Sequence, residues 1–313
     1  MPEKRTEGIK QITQECVATL ESILKNKSAL YYEFKIPKKS GESRVITPSK
    51  PPLKNIQHRI NKYFARKQFP ACVHGYVRNR NVLTNAQSHV GKKWVITIDL
   101  KDFFPSCDTI KISQAFLNIF SNDQTINLLT ELVTFNNQLP QGTPTSPIIS
   151  NLVLHNLDQE FVRLSKKHGF TYTRYADDLT LSTNGKNPHD FLKAFTDIIT
   201  SNGFKINPDK LKVMPCSARQ IVTGFVVNKY DGNGFLKPTK KYISDFKILI
   251  RNCYQLNMFQ QIAADQGKTV PKLKRSIEGK ILYIKHANPA LAREISNLRY
   301  PLKPSATEIT VNI

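Results

Sequence analysis

The 313 residues carry 46 Lys and Arg against 24 Asp and Glu, a net charge of +22, and 40% of them are hydrophobic. That length and apolar content exceed what one small core needs and exclude a largely disordered chain. A chain so basic implies a polyanionic partner, nucleic acid before a membrane surface.

In chain order, Ile9, Ile12, Cys16, Val17, Leu20, Ile23 and Leu24 recur at helical intervals and predict one amphipathic helix over residues 6–26. Tyr31–Ile36 and Ser43–Thr47 read as strands around the turn Pro37-Lys38-Lys39-Ser40-Gly41, and Leu53–Phe69 reads as a helix. Trp94–Asp99 is a short apolar strand that ends on a carboxylate. Residues 109–135 read as helices, Leu139–Pro147 as a loop rich in Pro, Gly, Thr and Ser, and Ile148–Leu164 as a further helix. Phe170–Ser182 is a predicted hairpin with Tyr175-Ala176-Asp177-Asp178 at its bend. A helix over Phe191–Ser201 precedes short strands near 204–207 and 211–214. Val222–Asn228 reads as a strand closed by the turn Asp231–Gly234. From Thr239 the pattern is helical, and Pro304–Ile313 reads as a tail. This order predicts an α+β fold, an antiparallel sheet with helices on one face.

Charge is unevenly spread. Residues 1–93 hold nineteen Lys/Arg against six Asp/Glu, residues 94–234 thirteen against thirteen, and residues 235–313 fourteen against five. Two basic flanks suited to phosphates thus enclose a neutral centre that supplies carboxylates. No apolar run nears the ~18 residues of a membrane span. Met1-Pro2-Glu3-Lys4-Arg5 lacks the apolar stretch of a signal peptide. Cys16, Cys72, Cys107, Cys216 and Cys253 form no C-x-x-C pair, which argues against a disulfide framework or a zinc ribbon and predicts a reducing cytoplasm.

Three carboxylates fall at predicted strand ends: Asp99, and Asp177-Asp178 in the hairpin bend. Adjacent aspartates repel unless a cation compensates. Magnesium takes hard oxygen ligands, and two such ions ~3.5–4 Å apart activate a 3′-hydroxyl and stabilise leaving pyrophosphate. An Asp-Asp pair alone usually marks an exposed turn. Here it follows Ile98-Asp99-Leu100-Lys101-Asp102-Phe103-Phe104-Pro105-Ser106 and Leu139-Pro140-Gln141-Gly142-Thr143-Pro144-Thr145-Ser146-Pro147, and three such motifs in order are not a chance arrangement.

With these motifs the chain resembles reverse transcriptases from about Lys35 to Lys285. The resemblance implies a right-hand polymerase: an N-terminal helix and fingers over 1–93, a palm over 94–234 with fingers helices inserted around 109–140, and a helical thumb and tail over 235–313. It implies that Asp99, Asp177 and Asp178 are catalytic and hold two Mg2+ ions, with the Leu100 carbonyl as a further ligand and Mn2+ as a substitute. Phe103 matches the aromatic that clashes with a ribonucleotide 2′-hydroxyl. Gln141 and Gly142 match the loop under the incoming nucleotide and template base. Lys38 and Arg44 match the fingers hairpin that clamps the triphosphate, where Arg44 can chelate phosphate bidentately.

Asn85-Ala86-Gln87-Ser88-His89 and Val222-Thr223-Gly224 resemble the N-A-x-x-H and V-T-G signatures of retron reverse transcriptases. Membership implies that Asn85, His89, Val222, Thr223 and Gly224 serve nucleic-acid binding. It also implies a cognate structured non-coding RNA, priming from a guanosine 2′-hydroxyl, and a branched RNA–DNA product, multicopy single-stranded DNA. A role in anti-phage defence with a separate effector protein, and RNA trimming by a host ribonuclease H, follow from the same resemblance. Further on, Leu273, Ile277, Ile281 and Ile284 form an apolar stripe, with Lys272, Lys274, Arg275 and Lys280 mostly off it. Such a helix can lie along a duplex and touch phosphates. Two other readings compete: a group II intron-like or diversity-generating reverse transcriptase, and a non-catalytic RNA–DNA-binding scaffold that restrains an effector.

Overall fold

The computed structural model of the chain describes residues 3–37, 41–185, 187–228 and 236–300. It divides into two compact units, Met1–Ala218 and Arg219–Ile313. The expected boundary after residue 234 falls inside the second unit. The turn expected at Asp231–Gly234 and the tail at Pro304–Ile313 lie outside the described residues.

In the first unit, α1 (Glu3–Thr13) and α2 (Val17–Lys25) replace the single expected helix. Gln14 is left-handed, with φ 62°, and Cys16 is extended, so the helical hydrogen bonding stops between them. The hairpin β1 (Phe34–Pro37) and β2 (Ser43–Ile46) follows. Helix α3 (Leu53–Phe64) buries Leu53, Ile56, Ile60 and Phe64, one face of a 3.6-residue repeat. Asn81 caps the short α4 (Val82–Gln87), accepting from the Leu83 and Thr84 amides while Thr84 Oγ1 accepts from Asn81 N. After β3 (Trp94–Asp99) come α5 (Phe103–Ser106), α6 (Thr109–Leu117) and α7 (Asp123–Val133). Asp108 and Asn122 cap α6 and α7. The expected helix 148–164 is two helices, α8 (Ser146–Val153) and α9 (His155–His168), because Leu154 leaves the helical basin at ψ 4°. Strands β4 (Thr171–Tyr175) and β5 (Asp178–Thr183), helix α10 (Leu192–Ser201) and β6 (Lys212–Pro215) complete the unit.

The sheet runs β4-β5-β3-β6, with antiparallel neighbours throughout. Directly paired residues share a face. The register therefore puts Ile96, Ile98, Tyr172, Leu179 and Leu181 on one side, where they join the buried cluster that includes Phe161 of α9 and Phe195 of α10. Phe161 stacks on Tyr172 with centroids 4.8 Å apart. Asp99, Thr173 and Tyr175 lie on the other side with Asp178, Thr180 and Ser182.

The N-A-x-x-H segment packs beside the sheet. His89 is fully buried, with Nδ1 2.7 Å from Ser182 Oγ and Nε2 2.7 Å from Thr173 Oγ1. The ring bridges β4 and β5. Asn85 is also fully buried. The Asn85 amide Nδ2 and Oδ1 find no hydrogen-bond partner among the described residues. Burial pushes the His89 pKa down to about 3, so the ring is neutral.

The second unit holds the small sheet β7 (Ile221–Val222), β8 (Phe225–Val226) and β9 (Lys237–Pro238), then α11 (Lys240–Tyr254), α12 (Phe259–Asp265), α13 (Val270–Ala287) and α14 (Pro289–Asn297). The strand expected over 222–228 is instead a hairpin. Val222 pairs with Phe225 around Thr223 and Gly224, at φ 44° and 89°, the doubly left-handed turn that matches strand twist. Leu273, Ile277 and Ile284 of α13 are buried with Phe246 and Ile250 of α11 and Ile295 of α14. Among the described residues no two cysteines are joined by a disulfide. Among the described residues, no helix is long and apolar enough to cross a membrane.

His89 titrates near 6.5 when unfolded and near 3 when folded, so the unfolded chain binds the extra proton between those values. Stability is therefore lost as pH falls through that window, by about 1.4 kcal/mol per pH unit from this residue. Urea titrations across the window should show a shallower acid slope in His89→Gln. His89→Ala, which leaves both hydroxyls unpaired around a cavity, should cost about 2–4 kcal/mol at neutral pH.

Candidate active site

Two strands bring the carboxylates together. Asp99 is the last residue of β3, and the antiparallel register places it directly opposite Asp178, the first residue of β5. Tyr175 pairs with the same Asp178, which leaves Ala176 and Asp177 as a two-residue turn with Ala176 left-handed at φ 58°. The Leu100 amide donates to the Asp177 carbonyl at 3.2 Å and the Asn207 amide to the Asp99 carbonyl at 2.8 Å, which ties the turn to the end of β3. Asp99 is 8% exposed. Asp178 is open to solvent on one side, yet its carboxyl lies within hydrogen-bonding reach of Asp99.

Burial first, then the charges of Asp177 and Asp99, push the Asp178 pKa up to about 7. Burial, then the Asp99 charge, also raises that of Asp177. Lys210 answers this crowding. Its Nζ lies 2.9 Å from Asp99 Oδ1 and 3.0 Å from Oδ2, and this bond holds its own pKa up. The ammonium stands on a side chain 60% exposed, and such pairs are weak. One lysine against three carboxylates leaves net negative charge. Among the described residues, no group of three or more His, Cys, Asp or Glu side chains closes into a metal cluster. The donor chemistry nonetheless fits magnesium, which asks of a protein only one or two carboxylates alongside substrate phosphates.

Arg44 lies exposed on β2, and its charge reaches Asp177 and favours the ionised carboxylate there. Lys38, its expected companion, lies outside the described residues. Gln141 and Gly142 abut the end of that hairpin. The Gln141 carbonyl accepts from the Thr47 amide at 2.7 Å, and a Cβ on Gly142 would stand 2.7 Å from Ile46 Cγ2. Gly142 also adopts φ 112°, so only glycine fits there. Phe103 is buried, 3% exposed, against Phe104 and Phe204 with centroids at 5.3 and 6.1 Å.

In the second unit, Lys272, Lys274 and Arg275 are exposed on α13 and Lys280 is half-buried. Lys274 Nζ sits 5.1 Å over the Phe259 ring and Lys280 Nζ 5.4 Å over Phe246. Val222 is fully buried and pairs with Phe225 beside the Thr223-Gly224 turn. Two residues at the site escaped the sequence reading. Lys210 follows Asn207-Pro208-Asp209 in an unremarked turn, and only the need for a counter-charge points to it. Tyr76, left-handed at φ 60° and 43% exposed, has its ring 6.4 Å from that of Tyr175.

Residues 36–268 match the family described as reverse transcriptase (RNA-dependent DNA polymerase). The retron Mx162 reverse transcriptase of Myxococcus xanthus is 37% identical over 228 residues, 63% of this chain and 47% of that protein. The retron Mx65 enzyme of the same organism is 30% identical, over 87% of this chain and 64% of its own length. The retron Ec86 reverse transcriptase of Escherichia coli is 32% identical over 69% of each chain. The match thus spans about half of the Mx162 protein and under two thirds of the Mx65 protein. Telomerase of Candida albicans superposes on 77% of this chain and 55% of its own, with a TM-score of 0.47 and 13% identity. An α+β fold with an antiparallel sheet, the reverse transcriptase match over residues 36–268 and the likeness to the Ec86 enzyme together place this chain in the retron reverse transcriptase family.

Proposed function

We propose that the protein is an RNA-directed DNA polymerase that binds a cognate structured non-coding RNA, starts from a guanosine 2′-hydroxyl and synthesises a branched RNA–DNA. One observation carries this reading: two strands deliver Asp99 and Asp178 side by side, with Asp177 adjacent, around an unbalanced negative charge.

Asp99, Asp177 and Asp178, with the Leu100 carbonyl, would hold two divalent metal ions, magnesium foremost. When bound, such ions lower the pKa of the attacking hydroxyl and neutralise the leaving pyrophosphate. The chain's own groups do the rest. Arg44, with Lys38, grips the triphosphate from the fingers hairpin. Gln141 and Gly142 form the floor under the nucleotide and template base. Phe103, held by Phe104 and Phe204, sets how much room the sugar has. Lys210 neutralises Asp99 until substrate and metal arrive. The basic flanks, fingers at 1–93 and thumb at 235–313, supply the sequence-independent grip on the RNA and hybrid, with Lys272, Lys274, Arg275 and Lys280 on the thumb side and the β7–β8 turn at Thr223-Gly224 presented toward nucleic acid.

The likeness to several retron enzymes favours the retron reading over an intron-like or diversity-generating one. We place the protein in the cytoplasm within an anti-phage retron, with a separate effector as partner and a host ribonuclease H for trimming. Nucleic acid purified with the protein from its host, digested separately with ribonuclease and deoxyribonuclease, should yield DNA joined to RNA through a 2′,5′ linkage. A 3′-primed cDNA instead would support the intron-like or diversity-generating alternative.

Asp178→Asn should lower deoxynucleotide incorporation by at least ~100-fold while RNA binding stays near wild type. Primer extension beside a filter-binding titration reads both, and an active variant would refute the assignment. Metal binding needs the ionised carboxylate, so the Asp178 proton opposes it below about pH 7. The magnesium concentration giving half-maximal incorporation should therefore fall as pH rises through that value. In the metal-free protein the sign reverses. The folded pKa lies above the unfolded 3.8, so this residue's contribution to stability declines as pH rises from there through about 7.

A further inference from the structure

Beneath the carboxylate turn lies a buried charge that the proposed chemistry does not use. Arg174 is fully enclosed, and so is Asp158 of α9. Asp158 Oδ1 accepts from Arg174 Nε at 2.8 Å and Oδ2 from Nη2 at 2.7 Å, while Tyr172 Oη donates to Oδ1 at 2.8 Å. A plain buried ion pair would end there. Arg174 Nη1 goes further and donates to two acceptors outside it: Asn151 Oδ1 of α8 at 2.9 Å and the Ala176 carbonyl at 3.1 Å. Ala176 is the left-handed residue of the turn. Asn151 Nδ2 then donates to the Gly75 carbonyl at 2.9 Å.

Gly75 is the floor of the turn. A Cβ built there would stand 2.4 Å from Ala176 N, 3.1 Å from Tyr175 C and 3.3 Å from Ala176 Cα. Those are backbone atoms, which cannot swing aside as a flexible side chain can. The strip leading to Gly75 runs along β4 and is bonded to Arg174 itself: Arg174 N donates to the Cys72 carbonyl at 2.7 Å and His74 N to the Arg174 carbonyl at 2.8 Å. The main chain of Arg174 thus anchors the strip, its side chain anchors the turn, and Asn151 links the two. A left-handed residue bearing a Cβ persists only where its surroundings determine it, and here they do so from below and behind.

We infer that Arg174 is a positioning residue: through Ala176, Asn151 and Gly75 its guanidinium sets the height and tilt of the Tyr175–Asp178 turn, and hence where Asp177 and Asp178 stand relative to Asp99. This rests on the polymerase reading of those carboxylates. It requires the planar fork of arginine, because an ammonium is a point charge that cannot hold Asp158, Asn151 and the turn in fixed directions. A misplacement of about 1 Å at reacting groups costs roughly a hundredfold in rate, so a tenfold loss corresponds to a small tilt.

The test uses three variants of the full chain. Gly75→Ala pushes on the turn while leaving the Arg174–Asp158 pair whole. Asn151→Ala cuts the link to Gly75. Arg174→Lys keeps the charge and loses the fork, and the first two variants decide the matter if it fails to fold. Each is read by its melting curve, by kcat and KM for a deoxynucleotide on a primed RNA, and by Mn2+ affinity from water-proton relaxation without substrate. Positioning predicts kcat lowered about tenfold or more, a deoxynucleotide KM and RNA affinity near wild type, and weakened Mn2+ binding in molecules that melt as cooperatively as wild type. Gly75→Ala and Asn151→Ala proteins with wild-type kcat and Mn2+ affinity, or with activity lost only in proportion to the unfolded fraction, would overturn it. Wild-type protein unable to incorporate deoxynucleotides would overturn the polymerase reading alone, and the Mn2+ titration would still decide the role of Arg174.

Discussion

The rest of the structure depends on one repulsion held in place by hydrogen bonds. The β3–β5 register sets Asp99 against Asp178, and left to themselves two carboxylates so close would part. The ladder of backbone bonds, from Trp94 opposite Thr183 to Asp99 opposite Asp178, holds them together. Such an arrangement is stable only if a proton, a lysine or a metal takes up the charge. The raised Asp178 pKa and the Lys210 ammonium on Asp99 are the first two of these answers. The third is the one that the proposed chemistry requires.

The surroundings serve that point. On one side of the sheet, Phe161, Phe195 and Tyr172 give a close-packed backing that keeps β4 and β5 from shifting. On the other, His89 bridges Thr173 and Ser182 farther along the same hairpin. The Gly142 loop seats against Ile46, so the β1–β2 hairpin and the Gln141-Gly142 loop share one contact. Along the sequence the flanks carry the excess of Lys and Arg, and the centre is neutral. A strongly basic centre would have cancelled the net negative charge left at the carboxylates.

Much of this was legible because it rests on local pattern. Trp94–Asp99 is an apolar run ending on a carboxylate and is a strand over those same residues. The bend at Ala176-Asp177 and the switch from period two to helical spacing after it were equally plain. Helix breaks were not. Leu154 and Gln14 are ordinary helix formers, and nothing in their residue type marks a break. Val222–Asn228 reads as one strand in the sequence, yet Thr223-Gly224 takes a turn that threonine seldom adopts. The role given to Asn85 and His89 came from resemblance alone, and the hydroxyl partners of the His89 ring are set by the pairing of β4 and β5, which no local pattern shows. Lys210 is far from Asp99 in sequence, and no spacing rule links them.

The account stands or falls on whether the paired strands create a cation site that neither carboxylate makes alone. Calorimetric titration of the protein with magnesium, in the presence of a non-hydrolysable deoxynucleoside triphosphate and a primed RNA, measures this directly for wild type, Asp99→Asn, Asp178→Asn and the double variant. The account predicts saturable binding in wild type, its loss in each single variant, and no further loss in the double. Equal magnesium affinity in all four proteins would contradict it.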